Sequence, residues 1–191
     1  MEALLIYNSD IEIIDDYVAS GSNKSANAFV RKYQKFVYST AFRYLKNYDD
    51  SQDASQEVFI KALRNLKSFR KESSVNTWLY RITVNICTNM IRKRRVRSIF
   101  ISASRDDNVE DFFSVESAGL DPLQEVENKE FEKKFRTALD NLPKKQRETF
   151  ALRYFDDLPY QEISNMLGTS VGGLKANYYQ AVKKLGMYLK K

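Results

Sequence analysis

Residues 158–189 read LPYQEISNMLGTSVGGLKANYYQAVKKLGMYL. Pro159 suits the first turn of a helix, where its missing N–H leaves no bond unmade. Ile163, Met166 and Leu167 give that helix an apolar face. Gly168 breaks it, and Thr169 or Ser170 can cap the next. At about 100° per residue, Val171, Leu174, Tyr178, Ala181, Val182 and Leu185 gather on one side of the second helix. Gly173, Ala176, Asn177, Gln180 and Lys184 gather on the opposite side. The pattern predicts helix, tight turn, helix.

An amide pair with glycine and alanine clearance suits entry into a DNA major groove. Asn177 and Gln180 can each bond an adenine edge in two places, while Lys184 reaches phosphate or guanine. Ser170 stands at the helix start, whose free N–H groups favour a phosphate. Lys175 and Lys183 flank the stripe and suit phosphate contacts, which add affinity without choice of base. The plainer alternative is a helical hairpin whose polar side is merely wet.

The rest of the chain is charged in blocks. Residues 1–23 hold five acids and no base, and residues 24–97 hold 17 bases against 5 acids. Residues 98–142 hold 5 bases against 11 acids, and residues 143–191 hold 9 against 4, for a net charge of +6 over 191 residues. Two basic blocks separated by an acidic one suggest two polyanion-binding modules, since basic surfaces bind nucleic acid through counterion release. Ordinary solubility charge is the competing explanation.

Almost all of the chain reads as helix. Ser25 can cap a helix to about Leu45 with Phe29, Tyr33, Phe36, Val37 and Phe42 as core candidates, and Asp50 or Ser51 can cap the next, to about Leu66. A third starts near Ser74 or Asn76 and runs to the basic tract at Arg92. Residues 98–121 mix Ser, Asp, Asn and Gly without a sustained period and read as linker. Helical periodicity resumes near Leu123. Residues 1–23 read either as a short helix with Ile11, Ile14 and Val18 on roughly one face or as a loose tail.

Two further constellations stand out. In SQDASQEVFIKALRNL (51–66), Val58, Phe59, Ala62 and Leu66 form an apolar side, and Ile60 sits nearly opposite among Asp53, Gln56, Glu57 and Arg64. That isoleucine is either incidental or the apolar centre of a protein interface with a polar rim. In residues 69–97, Phe69, Trp78 and Tyr80 interleave with Arg70, Lys71, Arg81, Arg92, Lys93, Arg94, Arg95 and Arg97. Aromatics beside cations suit single-stranded nucleic acid, where bases stack and cations hold the backbone. Asn76 and Asn85 could read a base edge, Arg92, Arg94 and Arg95 neutralise phosphates, and Trp78 belongs in part to an apolar core period with Leu79 and Ile82.

These regions resemble bacterial RNA polymerase sigma factors of the extracytoplasmic-function (ECF) type. DSQDASQEVFIKALRNLKSF (50–69) resembles the family's core-binding segment. SVNTWLYRITVNICTNMIRKRR (74–95) resembles the stretch that opens and reads the minus-ten element, and residues 142–185 resemble the module that reads the minus-thirty-five element. The resemblance implies an all-α chain of two small helical modules joined by a flexible acidic linker. Its parts are a region 2-like domain at 24–95, a linker at 96–127 and a region 4-like helix-turn-helix domain at 128–191, while the acidic stem at 1–23 matches nothing in the family. It implies that Asp53, Gln56, Glu57 and Ile60 bind the largest polymerase subunit and that the C-terminal module seats on the second-largest. Asn76, Trp78, Tyr80, Arg81, Asn85, Arg92, Arg94 and Arg95 would serve the minus-ten DNA, duplex and melted. Ser170, Gly173, Lys175, Ala176, Asn177, Gln180, Lys183 and Lys184 would serve the minus-thirty-five DNA. An anti-sigma protein is a further partner the family admits. The family usually has Ser-Arg where this chain has Ala176-Asn177, so the reading helix is less basic than usual and suggests an unusual minus-thirty-five sequence.

Composition narrows the chemistry. The chain has no histidine and one cysteine, Cys87. That removes His-based triads and any internal disulfide, and it points to a reducing, cytoplasmic setting. No run approaches the ~20 apolar residues of a membrane span, and the acidic N-terminus does not read as a signal peptide. No catalytic residue, metal or cofactor is expected. The alternatives are a polymerase-independent helix-turn-helix regulator, and a nuclease built on Asp106, Asp107, Glu110 and Asp111, which lack an ordered scaffold.

Overall fold

Side-chain caps set where the first helices begin in the computed structural model, which describes residues 9–69, 71–100 and 122–190, the side chains of 95–100 and 122–129 excepted. The Ser9 hydroxyl accepts the Glu12 N–H at 3.2 Å and opens α1, Asp10–Ser20. Ser22 accepts the Lys24 N–H at 3.1 Å and opens α2, Asn23–Leu45. Asn47 accepts the Asp50 N–H at 2.9 Å and opens α3, Tyr48–Asn65. A 3₁₀ turn at Leu66–Ser68 follows, and Ser74 accepts the Thr77 N–H at 3.1 Å ahead of α4, Val75–Phe100. Each cap satisfies an N–H that the first turn would leave unpaired.

Two expected caps lie elsewhere because burial claims the side chains. Ser25 is fully buried and its hydroxyl donates to the Ser22 carbonyl at 3.1 Å, so the cap moves to Ser22. Ser51 is likewise buried, and Asn47 takes the role expected of Asp50 or Ser51. The acidic stem forms a helix from Asp10, but its buried pair is Ile13 and Ile14, with Tyr17 and Val18 packed beside them; Ile11 faces out. Helix α4 passes Arg95 because nothing between Val75 and Phe100 is glycine or proline. The expected linker therefore begins in a helical stretch, and α5 already occupies its last residues from Pro122.

The chain divides into two units, Met1–Glu110 and Asp111–Lys191. In the first, α2 packs on α1, α3 and α4, and α3 packs on α4. Phe29, Val37, Ala54, Val58, Ala62 and Leu79 are fully excluded from solvent at its centre. Cys87 joins this core, and burial pushes its thiol up to about 12, which keeps it protonated and unreactive.

In the second unit α5 is Pro122–Asp140, α6 Lys144–Tyr154, α7 Tyr160–Leu167 and α8 Val171–Leu189. Helix α8 packs on α5, α6 and α7. Ala138, Leu139, Leu142, Phe150, Ala181 and Leu185 form the core, with Phe135, Phe155 and Tyr178 packed against it. Stacked rings of Phe150 and Tyr178, 5.7 Å apart, join α6 to α8.

Candidate nucleic-acid interface

Helix α7 ends at Gly168, whose φ of 62° is left-handed and whose N–H donates to the Ser164 carbonyl at 2.9 Å. Glycine takes that conformation without the Cβ clash other residues suffer. Ser170, one of the two expected caps, accepts the Gly173 N–H at 3.2 Å and starts α8. Helix, three-residue turn and helix are thus built as the spacing predicts.

Leu174, Ala181 and Leu185 are the buried residues of α8, with Tyr178 half-buried. Val182, assigned to the buried side, is instead 45% exposed. At about 100° per residue it lies at the edge of the apolar arc. On the other side Ala176 and Gln180 are exposed, Gly173, Asn177 and Lys184 are half-buried, and Lys175 and Lys183 stand free in solvent. No acid occurs anywhere in α8, so none of its side chains repels an approaching phosphate. Gly173 has a reason to be bare besides groove clearance. A Cβ on it would lie 3.2 Å from Thr169 Cγ2 and 3.3 Å from Ser170 Oγ, so its bareness serves the cap of its own helix.

Helix α4 distributes its candidates differently. Val75, Thr77, Leu79, Tyr80, Thr83, Ile86 and Cys87 are all buried, because α2 and α3 both cover it. Tyr80, expected at unstacked bases, is 5% exposed, and its hydroxyl lies 3.2 Å from that of Tyr44 on α2. Trp78 is half-buried, its ring tilted on Phe69 with centroids 5.2 Å apart. Both rings serve the packing of α4, and Tyr80 is withdrawn from the base-contacting set. Asn76 is half-buried; Arg81, Asn85, Arg92, Lys93 and Arg94 are exposed. Arg94 forms an ion pair with Asp50 in the first turn of α3, a link across 44 positions that no sequence pattern signals. Beside it a groove of about 610 Å³ has Leu45, Met90 and Ile91 as apolar lining and Asp50, Arg92, Lys93 and Arg94 as charged lining. Apolar surface under cations can take a base against its wall and a backbone on its rim.

On α3, Asp53, Gln56, Glu57 and Ile60 share the outer face at i, i+3, i+4, i+7 spacing, all exposed. Ile60 is 52% exposed while its neighbours Val58 and Phe59 are buried. An apolar side chain held out within a polar rim has the composition of a protein contact. The side chain of Arg95, Arg70, and the acids Asp106, Asp107, Glu110 and Asp111 lie outside the described residues. Among the described residues no cluster of three or more His, Cys, Asp or Glu could hold a metal, and no helix is long and apolar enough to cross a membrane.

A helix-turn-helix module and a helical module with a cationic groove together define a two-part DNA-binding factor. Its two halves match two family models: residues 29–97 match sigma-70 region 2, and residues 132–185 match sigma-70 region 4. The chain is 32% identical over 176 residues to the ECF RNA polymerase sigma-E factor of Escherichia coli (strain K12), covering 89% of each. It is 29% identical over 181 residues to the RNA polymerase sigma-H factor of Pseudomonas aeruginosa, covering 93% of this chain and 92% of that one. Among solved structures it is similar to a Bartonella quintana sigma factor, RpoE, in complex with the anti-sigma factor NepR. That match has a TM-score of 0.67 at 22% identity, over 87% of this chain and 98% of the other. It is also similar to CnrH in complex with the cytosolic domain of CnrY, with a TM-score of 0.62 at 21% identity, over 93% and 96% of the two chains. The chain belongs to the ECF family of RNA polymerase sigma factors, which direct the polymerase to promoters.

Proposed function

We propose that this sigma factor binds core polymerase through the outer face of α3, reads the minus-thirty-five element with α8, and opens and reads the minus-ten element with α4. The observation that carries the reading is Ile60, held out of the core between Asp53, Gln56 and Glu57. By family resemblance that face meets the largest polymerase subunit, and the second unit meets the second-largest. Arg81, Asn85, Arg92, Arg94 and Arg95 hold the strands at the minus-ten element, with Asn76 at the first turn of α4 as the base reader. Ser170, Gly173, Lys175, Ala176, Asn177, Gln180, Lys183 and Lys184 form the minus-thirty-five surface. The chain performs no covalent step and acts in the cytoplasm. The described complexes of RpoE with NepR and of CnrH with CnrY make an anti-sigma protein a fitting regulator of this chain as well.

Size-exclusion of the purified chain with core polymerase tests the face. Asp53→Arg and Ile60→Lys should each weaken co-elution while leaving helicity intact, and promoter run-off transcription should fall in step. Unchanged co-elution of both would remove α3 from the interface. Full promoter selectivity in the absence of core polymerase would favour the regulator alternative.

A further inference from the structure

Helix α2 runs against two rules of helix electrostatics. Its first turn holds no acid and carries Lys24, at the end where the macrodipole favours anions. Arg31 and Lys35 are like charges at i, i+4, an arrangement that destabilises a helix. The 23 residues contain Lys24, Arg31, Lys32, Lys35 and Arg43, and not one Asp or Glu. By contrast α1 opens on Asp10 and Glu12, and α3 on Asp49 and Asp50. Proteins break such local rules at functional sites, so uncompensated cations on α2 point to a use for the charge.

The cations also lie in line. At about 100° per residue, Lys24, Asn27, Arg31, Gln34, Lys35 and Tyr38 fall within one stripe, opposite the buried Phe29, Tyr33 and Val37. The first five are exposed. From Lys24 to Lys35 the stripe spans about 16 Å of helix. Two acids of α1 are used nearby, Asp10 on Lys32 and Asp15 on Lys71, the latter at 3.0 Å. Among the described residues no ion pair engages Lys24, Arg31 or Lys35. At its C-terminal end Tyr38 meets the exposed ring of Tyr48 edge-on at 6.0 Å, with Asp49 beside them. Cations and amides leading to the exposed ring of Tyr48 are the elements of a track for nucleic-acid backbone.

We propose that the outer stripe of α2 is a further binding surface for the phosphate backbone of DNA, separate from the α4 groove, with Lys24, Arg31 and Lys35 as phosphate contacts. The surface contributes affinity and not sequence choice, since it offers point charges in place of a fixed array of base-edge partners. It goes beyond the promoter-reading assignment and rests on it only for the polyanion being DNA.

The test is a full chain carrying Lys24→Gln, Arg31→Gln and Lys35→Gln. Holoenzyme binding is titrated from 50 to 200 mM salt on duplex promoter and on a pre-melted bubble. Losing three contacts should lower the slope of log affinity against log salt by about 2 to 3, with base preference and core association unchanged. Loss on both templates places the backbone in the duplex, and loss on the bubble alone places it in the displaced strand. The same chain without polymerase, titrated on a single-stranded oligonucleotide, reads the stripe even if the wild-type holoenzyme fails to select promoters. If the triple variant does not fold, Arg31→Gln alone should lower the slope by about 0.7 to 0.9. An unchanged slope in all arms overturns the proposal. So does weakened core association at constant slope, which would give the stripe to an acidic protein surface.

Discussion

Helices α4 and α8 are the two candidate reading helices, and they are built on opposite plans. Helix α8 buries one side through Leu174, Ala181 and Leu185 and leaves its polar stripe open. Helix α4 is covered by both α2 and α3, so that Thr77, Leu79, Tyr80, Thr83, Ile86 and Cys87 are all buried within eleven positions. On α8 the candidate binding residues and the core residues are separate sets. On α4 the two sets are sequence neighbours, and the exposed groups gather toward the C-terminal end around Arg92 and Arg94. Substitutions should therefore separate the two functions cleanly on α8 and mix them on α4.

The largest contrast should appear in stability. Trp78→Ala removes a half-buried ring packed on Phe69 and should destabilise the first unit by about 3 kcal/mol. Tyr179→Ala on α8 removes a ring that is 65% exposed and should change stability by less than about 0.5 kcal/mol. Urea unfolding of the full chain, followed by circular dichroism, measures both. Equal losses would mean that α8 leans on its exposed side as much as α4 does on its core.

Next in size is base preference. Asn177→Ala and Gln180→Ala should each relax choice at a single minus-thirty-five position, by about 1–3 kcal/mol where the contact is bidentate. Lys183→Ala should weaken all sites alike. Competition binding of holoenzyme across single-base promoter variants reads the difference. Uniform loss from both amide substitutions would make the stripe a backbone contact like its lysines.

A smaller effect is expected at Tyr80. Its hydroxyl meets that of Tyr44 at 3.2 Å in a partly buried setting. Tyr80→Phe should cost about 1 kcal/mol of stability and leave the minus-ten preference untouched. Asn76→Ala, on the half-buried position four residues earlier, should reduce promoter melting seen by permanganate footprinting. A changed minus-ten preference in Tyr80→Phe would return the tyrosine to the DNA-contacting set.

The same contrast explains what could be read before the fold was known. The turn at Gly168, the cap at Ser170 and the core positions of α8 follow from local chemistry and a one-sided period, so 158–189 announces itself. The exposure of Ile60 is likewise a matter of period. Tyr80 is not legible as a core residue, because a helix covered on two sides has no clear polar face and an aromatic beside arginines looks like a base platform. The Arg94–Asp50 pair joins residues that only the packing of α3 against α4 brings together. The caps at Ser22 and Asn47 displaced nearby candidates because tertiary burial took Ser25 and Ser51.

The finest prediction concerns the two glycines at the start of α8. Glycine inside a helix is about 0.5–1 kcal/mol less stable than alanine. A Cβ at Gly172 would meet nothing within 4 Å, so Gly172→Ala should gain about that amount. At Gly173 the new Cβ would sit 3.2 Å from Thr169 Cγ2 and 3.3 Å from Ser170 Oγ. The turn must then give way, and it carries the hydroxyl that accepts the Gly173 N–H. Part of a capping bond, worth about 1 kcal/mol, offsets the backbone gain, and Gly173→Ala should stabilise less than Gly172→Ala or not at all. Thermal unfolding of the second unit in the full chain compares them. If both gain equally, the cap yields freely and the bareness of Gly173 has another use. Promoter binding then decides that use. Groove clearance would make Gly173→Ala weaken minus-thirty-five affinity while Gly172→Ala does not, whereas a purely structural role would leave both at the wild-type affinity.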